Sequence, residues 1–204
     1  MSRRRQRKLD TAVTAIQQRH GPQAIHRGMA EKRAAAVPHL STGFPSLDTI
    51  TGCQGIPLGH MTLISGRTTS GKLTLGYKAL VNAQQHRVGD TVALIDLFHC
   101  SDPDYLKRCG MDLKRLVIVR PPHDANVPEL LVDLARTGEL RAILVDNLGG
   151  LVANGRMARR LHSSLGSLGH ALRAKQCSVL FIGEPEPPWQ RWPATRWLTS
   201  RFRS

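Results

Sequence analysis

The chain of 204 residues is 41% hydrophobic and carries 29 Lys and Arg against 15 Asp and Glu, a formal net charge of +14. This length suits one domain with appendages, and no apolar run approaches the roughly 18 residues of a membrane span. The basic N-terminus lacks the apolar stretch of a secretory signal, and the four cysteines and nine histidines suggest no metal site, so the cysteines are expected to be reduced packing residues. The charge favours a polyanion, nucleic acid before a membrane surface, unless it reflects only a general preference for arginine.

Residues 1–40 are predicted to form a basic amphipathic helix and a linker. Leu9, Val13 and Ile16 are spaced for one helical face, and Gly21-Pro22 ends the run. Because this apolar face is too small to make the helix stable alone, we expect it to dock on another surface. Five basic residues beside it are candidate contacts to DNA phosphates: Arg3, Arg4, Arg5, Arg7 and Lys8.

Residues 41–184 have the pattern of an α/β core. Short apolar runs alternate with helical patterns, which predicts βαβ units and a mostly parallel sheet. In such sheets, ligands bind beyond the carboxyl ends of the strands. The predicted strands cover 61–65, 91–96, 116–119, 142–146 and 178–182, and the predicted helices cover 71–86, 103–109, 127–137 and 156–175.

Residues 66–73, Gly-Arg-Thr-Thr-Ser-Gly-Lys-Leu, match the phosphate-binding pattern G-x-x-x-x-G-K-[ST] except at the last position. In this pattern backbone N–H groups and the lysine hold nucleotide phosphates, and the final hydroxyl holds Mg²⁺. Leu73 has no hydroxyl, and that of Thr74 is rotated by about 100° around the helix. We therefore expect a phosphate site with weak or absent Mg²⁺ binding, formed by Gly66, Arg67, Thr68, Thr69, Ser70, Gly71, Lys72, Leu73 and Thr74.

Asp146 is a second candidate for the nucleotide site. It ends the apolar run 142–145, as does the aspartate that meets Mg²⁺ through its carboxylate in phosphate-loop proteins. A strand-terminal aspartate can instead cap the following turn. Its distance along the chain from the phosphate loop favours the nucleotide site.

Residues 185–204 are predicted to form a partner-binding tail. The Pro-rich stretch 183–188 cannot continue a strand or a helix, and all three tryptophans follow it, interleaved with arginines. Such residues are typical of protein-binding hot spots, but also of single-strand DNA binding or of cover for an open sheet edge. We favour a protein partner, contacted by Trp189, Arg191, Trp192, Arg196 and Trp197.

From residue 9 to about 184 the sequence resembles the bacterial RecA recombinases. Residues 40–48, Leu-Ser-Thr-Gly-Phe-Pro-Ser-Leu-Asp, are close to the family's I-S-T-G-x-x-x-L-D, and residues 96–105, Asp-Leu-Phe-His-Cys-Ser-Asp-Pro-Asp-Tyr, parallel its D-A-E-H-A-L-D-P-x-Y. The resemblance implies a RecA-like core, adenine contacts from Asp102 and Tyr105, and an N-terminal helix that packs against a RecA protomer or another copy of this chain.

The departures from the RecA pattern fall on the catalytic and metal positions. The family's catalytic glutamate corresponds to Phe98, its metal-holding threonine to Leu73, and its γ-phosphate-sensing glutamine to Glu184. The first DNA loop is shortened to about 152–156, beside the further DNA-binding candidates Arg156, Arg159 and Arg160, and the sequence stops before the second. The resemblance thus implies that ATP or ADP can bind, while hydrolysis is weak or absent.

A truncated, basic RecA relative with these changes looks most like the ImuA family, which is encoded with a Y-family-like polymerase subunit. That resemblance implies a cytoplasmic, nucleoid-associated accessory protein of the SOS DNA damage response and translesion synthesis. Its partners would be RecA, the polymerase subunit and single-stranded DNA, without sequence preference. The alternatives are an active RecA- or KaiC-like ATPase and a SulA-like division inhibitor or other scaffold that does not bind DNA.

Overall fold

The computed structural model describes residues 3–22, 24–25 and 37–184. Contacts divide the chain into two units, Met1–Ala36 and Val37–Ser204. The first contains helix α1 (Arg3–His20), on which Leu9 is 51% and Ile16 39% exposed while Val13 is half-buried. Helix α1 ends before Gly21, whose φ of 90° favours glycine. The predicted tail contacts Trp189, Arg191, Trp192, Arg196 and Trp197 lie outside the described residues.

The second unit begins with a small antiparallel pair, β1 (His39–Leu40) and β2 (Ile56–Pro57), with α2 (Pro45–Ile50) between them. The carboxylate of Asp48 fixes this segment by accepting from the Thr42 backbone N–H at 2.9 Å and from the Ser41 hydroxyl at 2.7 Å. Burial acts to raise the pKa of Asp48, but hydrogen bonds from the Thr42 and Ser41 hydroxyls and the Thr42 N–H lower it below its ordinary value. Leu40 of β1 and Ile56 of β2 are buried, so this strand pair covers part of the core.

Five parallel strands form the central sheet of the second unit, in the order β3-β7-β6-β4-β5. Helices follow most strands, and a 3₁₀ turn at Leu113–Arg115 precedes β5. The elements in chain order are β3 (Met61–Ser65), α3 (Lys72–His86), β4 (Thr91–Ile95), α4 (Pro103–Arg108), β5 (Leu116–Val119), α5 (Val127–Thr137), β6 (Leu140–Val145), α6 (Leu148–Ala153), α7 (Gly155–Lys175) and β7 (Ser178–Gly183).

Both faces of the sheet are covered, which explains why the central strands are apolar without alternation. On one face Ile143 and Phe181 pack with Leu131 of α5 and Leu168 of α7. On the other, Leu144 and its neighbours pack with α3 and α4. The predicted α/β class with a mostly parallel sheet and an N-terminal helix is confirmed, and every predicted strand is present with its bounds correct within two residues.

The structure corrects one detail of the predicted organisation. Residues 152–156, expected to be a shortened loop, are the end of α6 and the beginning of α7 with Asn154 between them. Asn147 caps α6 by accepting from the Gly150 backbone N–H, and Asn154 caps α7 in the same way. Leu148 and Leu151 are buried and anchor α6 on the core, so the glycine-rich sequence forms a helix. None of the described helices is long and apolar enough to cross a membrane.

Candidate nucleotide site

The loop between β3 and α3 has the backbone geometry of a phosphate cradle. Gly71 precedes α3 in the left-handed region with φ of 80°, and a Cβ on Gly66 would overlap the Ser70 hydroxyl. Thr69 also has a positive φ of 64°, which is strained for a β-branched residue. No side chain caps the first turn of α3, so its backbone N–H groups are available to an anion. The residues present therefore fit a nucleotide's phosphates.

A cavity of about 430 Å³ opens over this loop at the carboxyl edge of the sheet. Because β3, β6 and β7 are adjacent and parallel, their carboxyl ends bring the loop, Asp146 and Glu184 together. Among the predicted nucleotide residues, those at 69–74 and Asp146 line the cavity. The remaining predicted residues are not among its lining residues: Gly66, Arg67, Thr68, Asp102 and Tyr105. The lining residues are Thr69, Ser70, Gly71, Lys72, Leu73, Thr74, Asp146, Asn147, Ile182, Gly183 and Glu184.

The lysine of the loop is held by a carboxylate. Lys72 Nζ lies 2.8 Å from Glu184 Oε1 and donates to the Arg67 carbonyl at 3.1 Å. The Lys72 side chain is 15% exposed and that of Glu184 49%, so the ion pair is partly shielded from water. Sequence reasoning placed Glu184 at the position of the γ-phosphate-sensing glutamine of RecA but missed this ion pair. The register of parallel β3 and β7, which pairs Ser65 with Gly183, brings the two residues together.

The side chains at the end of the loop do not supply the hydroxyl ligand with which phosphate-loop proteins bind Mg²⁺. Leu73 packs against the hydrophobic core and offers no oxygen. The Thr74 hydroxyl lies 2.9 Å from the Tyr105 hydroxyl, so it is already engaged away from the loop. The expectation of weak or absent Mg²⁺ binding remains a prediction.

Asp146 and Asp96 form a carboxyl pair with opposite pKa shifts. Asp146 Oδ1 accepts from the Leu97 backbone N–H at 3.1 Å, whereas its Oδ2 is buried and finds no hydrogen-bond partner among the described residues. Burial and then the charge of Asp96 raise the pKa of Asp146 to about 6. Burial also acts to raise the pKa of Asp96, but hydrogen bonds from Ser101 and Arg120 lower it to about 2.

These two carboxylates and Cys100 are the one described group of side chains close enough to share a cation, with ligand atoms within 4.8 Å of one another. The donors around Asp96 argue against such a site. Its oxygens already accept from the Cys100 and Ser101 backbone N–H groups and from Arg120 Nε at 3.0 Å. Because these donors already engage both oxygens of Asp96, that carboxylate has little capacity left to bind a cation.

Phe98 stands at the position that corresponds to the catalytic glutamate in the RecA resemblance. Its side chain is 63% exposed, its ring lies against Gly150 of α6, and the following residue, His99, has φ of 54°. A phenyl ring accepts no proton, so this position supplies no general base.

Asp102 and Tyr105, the predicted adenine contacts, have structural roles in the described part of the chain. Asp102 caps α4 by accepting from the Asp104 backbone N–H at 2.9 Å. The Tyr105 ring packs edge-on against Tyr77 at 6.1 Å, and the Arg108 guanidinium lies 5.7 Å from its centre. An adenine contact at these residues remains a prediction.

The predicted DNA contacts lie on two helices in separate units. Arg4, Arg5, Arg7 and Lys8 are exposed on α1, which begins at Arg3. Arg156, Arg159 and Arg160 are exposed in the first half of α7, and the sequence of that helix contains no acidic residue.

The parallel sheet with a phosphate loop after an edge strand defines a P-loop nucleotide-binding fold. The RecA N-terminal domain family matches residues 7–182. The chain is similar to the protein RecA of Streptomyces venezuelae, with 31% identity over 192 residues, covering 88% of this chain and 50% of that protein. It is also similar to RecA of Clavibacter michiganensis, with 31% identity over 192 residues, 88% of this chain and 52% of that protein. The chain therefore belongs to the RecA N-terminal domain family, and it spans about half the length of these curated relatives.

Proposed function

We propose that this protein is a RecA-like accessory protein in the DNA damage response and in translesion DNA synthesis. It binds RecA, a Y-family-like polymerase subunit or both, together with DNA, and hydrolyses little or no ATP. The observation that carries this proposal is a RecA-family phosphate loop whose lysine, Lys72, is engaged by Glu184, while Leu73 and Phe98 stand at the metal and water positions. A core of this kind presents surfaces to partners without turning over nucleotide.

The charge of the chain supports contact with DNA. The five cations of α7 are not offset by any acidic residue on that helix, and Arg156, Arg159 and Arg160 are exposed beside one another in its first half. Lysine and arginine contacts to phosphates carry no sequence information, so we propose binding without sequence preference and favour single-stranded DNA.

The exposure of α1 supports docking on a protein. Leu9 and Ile16 leave 51% and 39% of their surface open to water, on a helix whose other residues are mostly polar or charged. Isolated helices are marginally stable in water, so covering this apolar face would stabilise α1. We propose a RecA protomer as the surface that covers it, with a second copy of this chain as the alternative.

A pull-down from DNA-damaged cells tests the proposal, with the tagged full chain as bait and RecA and the polymerase subunits as readouts. We expect both to be recovered, and we expect deletion of residues 1–28 to reduce recovery of RecA while the core stays folded. Leu9→Asp combined with Ile16→Asp should have the same effect. Gln6→Asp combined with Gln18→Asp adds the same charge at exposed positions of α1 and is the matched control.

Two outcomes would count against the accessory role. Recovery of neither protein, together with no DNA binding at low salt, would point to a scaffold outside DNA repair. ATP turnover comparable to that of a RecA, stimulated by DNA and abolished by Lys72→Ala, would point to an active ATPase instead.

A further inference from the structure

The carboxylate of Glu184 lies at the loop lysine and engages one of its donors. In phosphate loops the lysine reaches the β- and γ-phosphates. Here Lys72 Nζ contacts Glu184 Oε1 at 2.8 Å and the Arg67 carbonyl at 3.1 Å, and the Thr68 hydroxyl lies 3.5 Å from the same Glu184 oxygen. A lysine ammonium has three N–H donors, so two are used within the chain.

The sheet fixes the backbone from which Glu184 projects. Glu184 directly follows β7, all of whose residues are buried, and the Gly66 backbone N–H donates to the Gly183 carbonyl at 3.3 Å. This hydrogen bond joins the start of the loop to the residue directly before Glu184. The carboxylate itself is 49% exposed, so the side chain has room to rotate away from Lys72 when a ligand competes for it.

The charges around the cavity are unfavourable for a third phosphate. Lys72 is the one cation among the described lining residues, and Glu184 and Asp146 are the acidic ones. A diphosphate can use the uncapped N–H groups at the start of α3. A triphosphate places further negative charge at the lysine, where the Glu184 carboxylate already lies and where Leu73 supplies no metal ligand to offset it.

We propose that Glu184 is a specificity-determining residue that makes this site select nucleoside diphosphates over nucleoside triphosphates. The proposal deepens the proposed function, since an accessory protein that does not hydrolyse ATP can still respond to the nucleotide it holds. A diphosphate binds at the N–H groups that begin α3 and uses the third donor of Lys72, while Glu184 keeps its ion pair with that lysine. A triphosphate must displace that carboxylate first.

Isothermal titration calorimetry on the full chain tests this proposal, with ADP, ATP and a non-hydrolysable ATP analogue, each with and without Mg²⁺. We expect the wild-type chain to bind ADP at least roughly tenfold more tightly than ATP, a difference of about 1.4 kcal/mol. Glu184→Gln removes the charge and keeps the size of the side chain. It should raise affinity for ATP and the analogue by roughly tenfold and change affinity for ADP much less.

Two variants control the experiment. Glu139→Gln makes the same chemical change at an exposed position outside the cavity and should leave both affinities unchanged. Lys72→Ala should weaken both nucleotides, which assigns the signal to the loop.

An unchanged ratio of ADP to ATP affinity in Glu184→Gln would overturn the proposal, and so would a lack of binding of either nucleotide to both wild type and Glu184→Gln. Neither result bears on recovery of RecA or on DNA binding, which test the accessory role. A failure of the diphosphate preference is thus distinguishable from a failure of the proposed function.

Discussion

The two halves of the carboxyl edge of the sheet differ: one has the features of a phosphate site, and the other lacks a water-activating side chain at Phe98. Between β3 and α3, Gly66, Gly71 and Lys72 retain the backbone turn and the cation of a phosphate site. Beyond β4, Phe98 stands where the resemblance to RecA implies a water-activating glutamate, and the neighbouring Asp96 is a carboxylate that accepts hydrogen bonds from Ser101 and Arg120. A phosphate cradle is made by the backbone and is tied to the fold, whereas catalysis depends on a few exposed side chains. The second half can therefore change while the first stays intact.

Turnover measurements test most directly whether the two halves differ in this way. We expect ATP hydrolysis far below that of a RecA, because loss of one catalytic interaction commonly costs roughly 10²–10³-fold and here the metal ligand and the water-activating group are both replaced. Phosphate release with and without single-stranded DNA measures it. Leu73→Thr combined with Phe98→Glu should raise the rate if these positions are the cause, and Lys72→Ala is the blank. A wild-type rate equal to that of a RecA would contradict the prediction.

The sequence predicts the strands and the phosphate loop better than the short elements between them. Strand positions were predictable because buried parallel strands are continuous apolar runs, and the loop because its glycines and lysine are fixed by backbone geometry. Short elements were missed. Helix α6 begins Leu-Gly-Gly, and glycine disfavours helix, yet the Asn147 cap and the burial of Leu148 and Leu151 stabilise it. Tertiary packing overrode local propensity there.

The ion pair between Lys72 and Glu184 could not be predicted from either segment alone, since 112 positions separate the two residues. It requires the strand order, in which β7 lies beside β3, and the register that pairs Ser65 with Gly183. The same holds for the raised pKa of Asp146. The apolar run before it predicted a strand-terminal carboxylate, but the closeness of Asp96 depends on β4 and β6 being neighbours.

DNA affinity tests whether the basic residues of α7 act as a binding surface. The log–log dependence of affinity on salt should have a slope of roughly 0.7 to 0.9 per phosphate contacted. Replacing Arg156, Arg159 and Arg160 together by Ala should lower that slope by about 2 to 3, as measured by fluorescence anisotropy with single-stranded DNA. Lys107→Ala with Lys114→Ala removes exposed charge elsewhere and should act less. DNA affinity that does not change with salt in the wild type would show that the net charge reflects amino-acid composition and not a DNA-binding surface.

We predict that the tail, residues 185–204, makes a partner contact that the RecA-like core does not. If it binds a polymerase subunit, Trp192→Ala or Trp197→Ala should abolish the complex with little change in melting temperature, since one such anchor contributes about 2 kcal/mol or more at the centre of an interface. If it stacks on single-stranded DNA, the same changes should cost about 1–3 kcal/mol of DNA affinity per base. A fall in melting temperature together with every activity would show instead that the tail covers the core.

The smallest expected effect concerns Asp146. It tests whether burial of this carboxyl group destabilises the folded protein when the group is ionised. Its pKa of about 6 lies above the ordinary 3.8, so the folded state holds a proton that the unfolded state releases between about pH 4 and pH 6. Stability contributed by this group is present below pH 4 and lost as pH rises through 6. A pKa difference of about two corresponds to about 3 kcal/mol, and because Asp146 is only partly buried we expect about 1–3 kcal/mol.

Asp146→Asn should thus be more stable than wild type by that amount at pH 7 and equal to it near pH 4, in urea unfolding followed by circular dichroism. Asp124→Asn, at an exposed position, should leave the pH profile unchanged. Parallel profiles for Asp146→Asn and wild type would show that the carboxyl is ionised without cost in the folded protein.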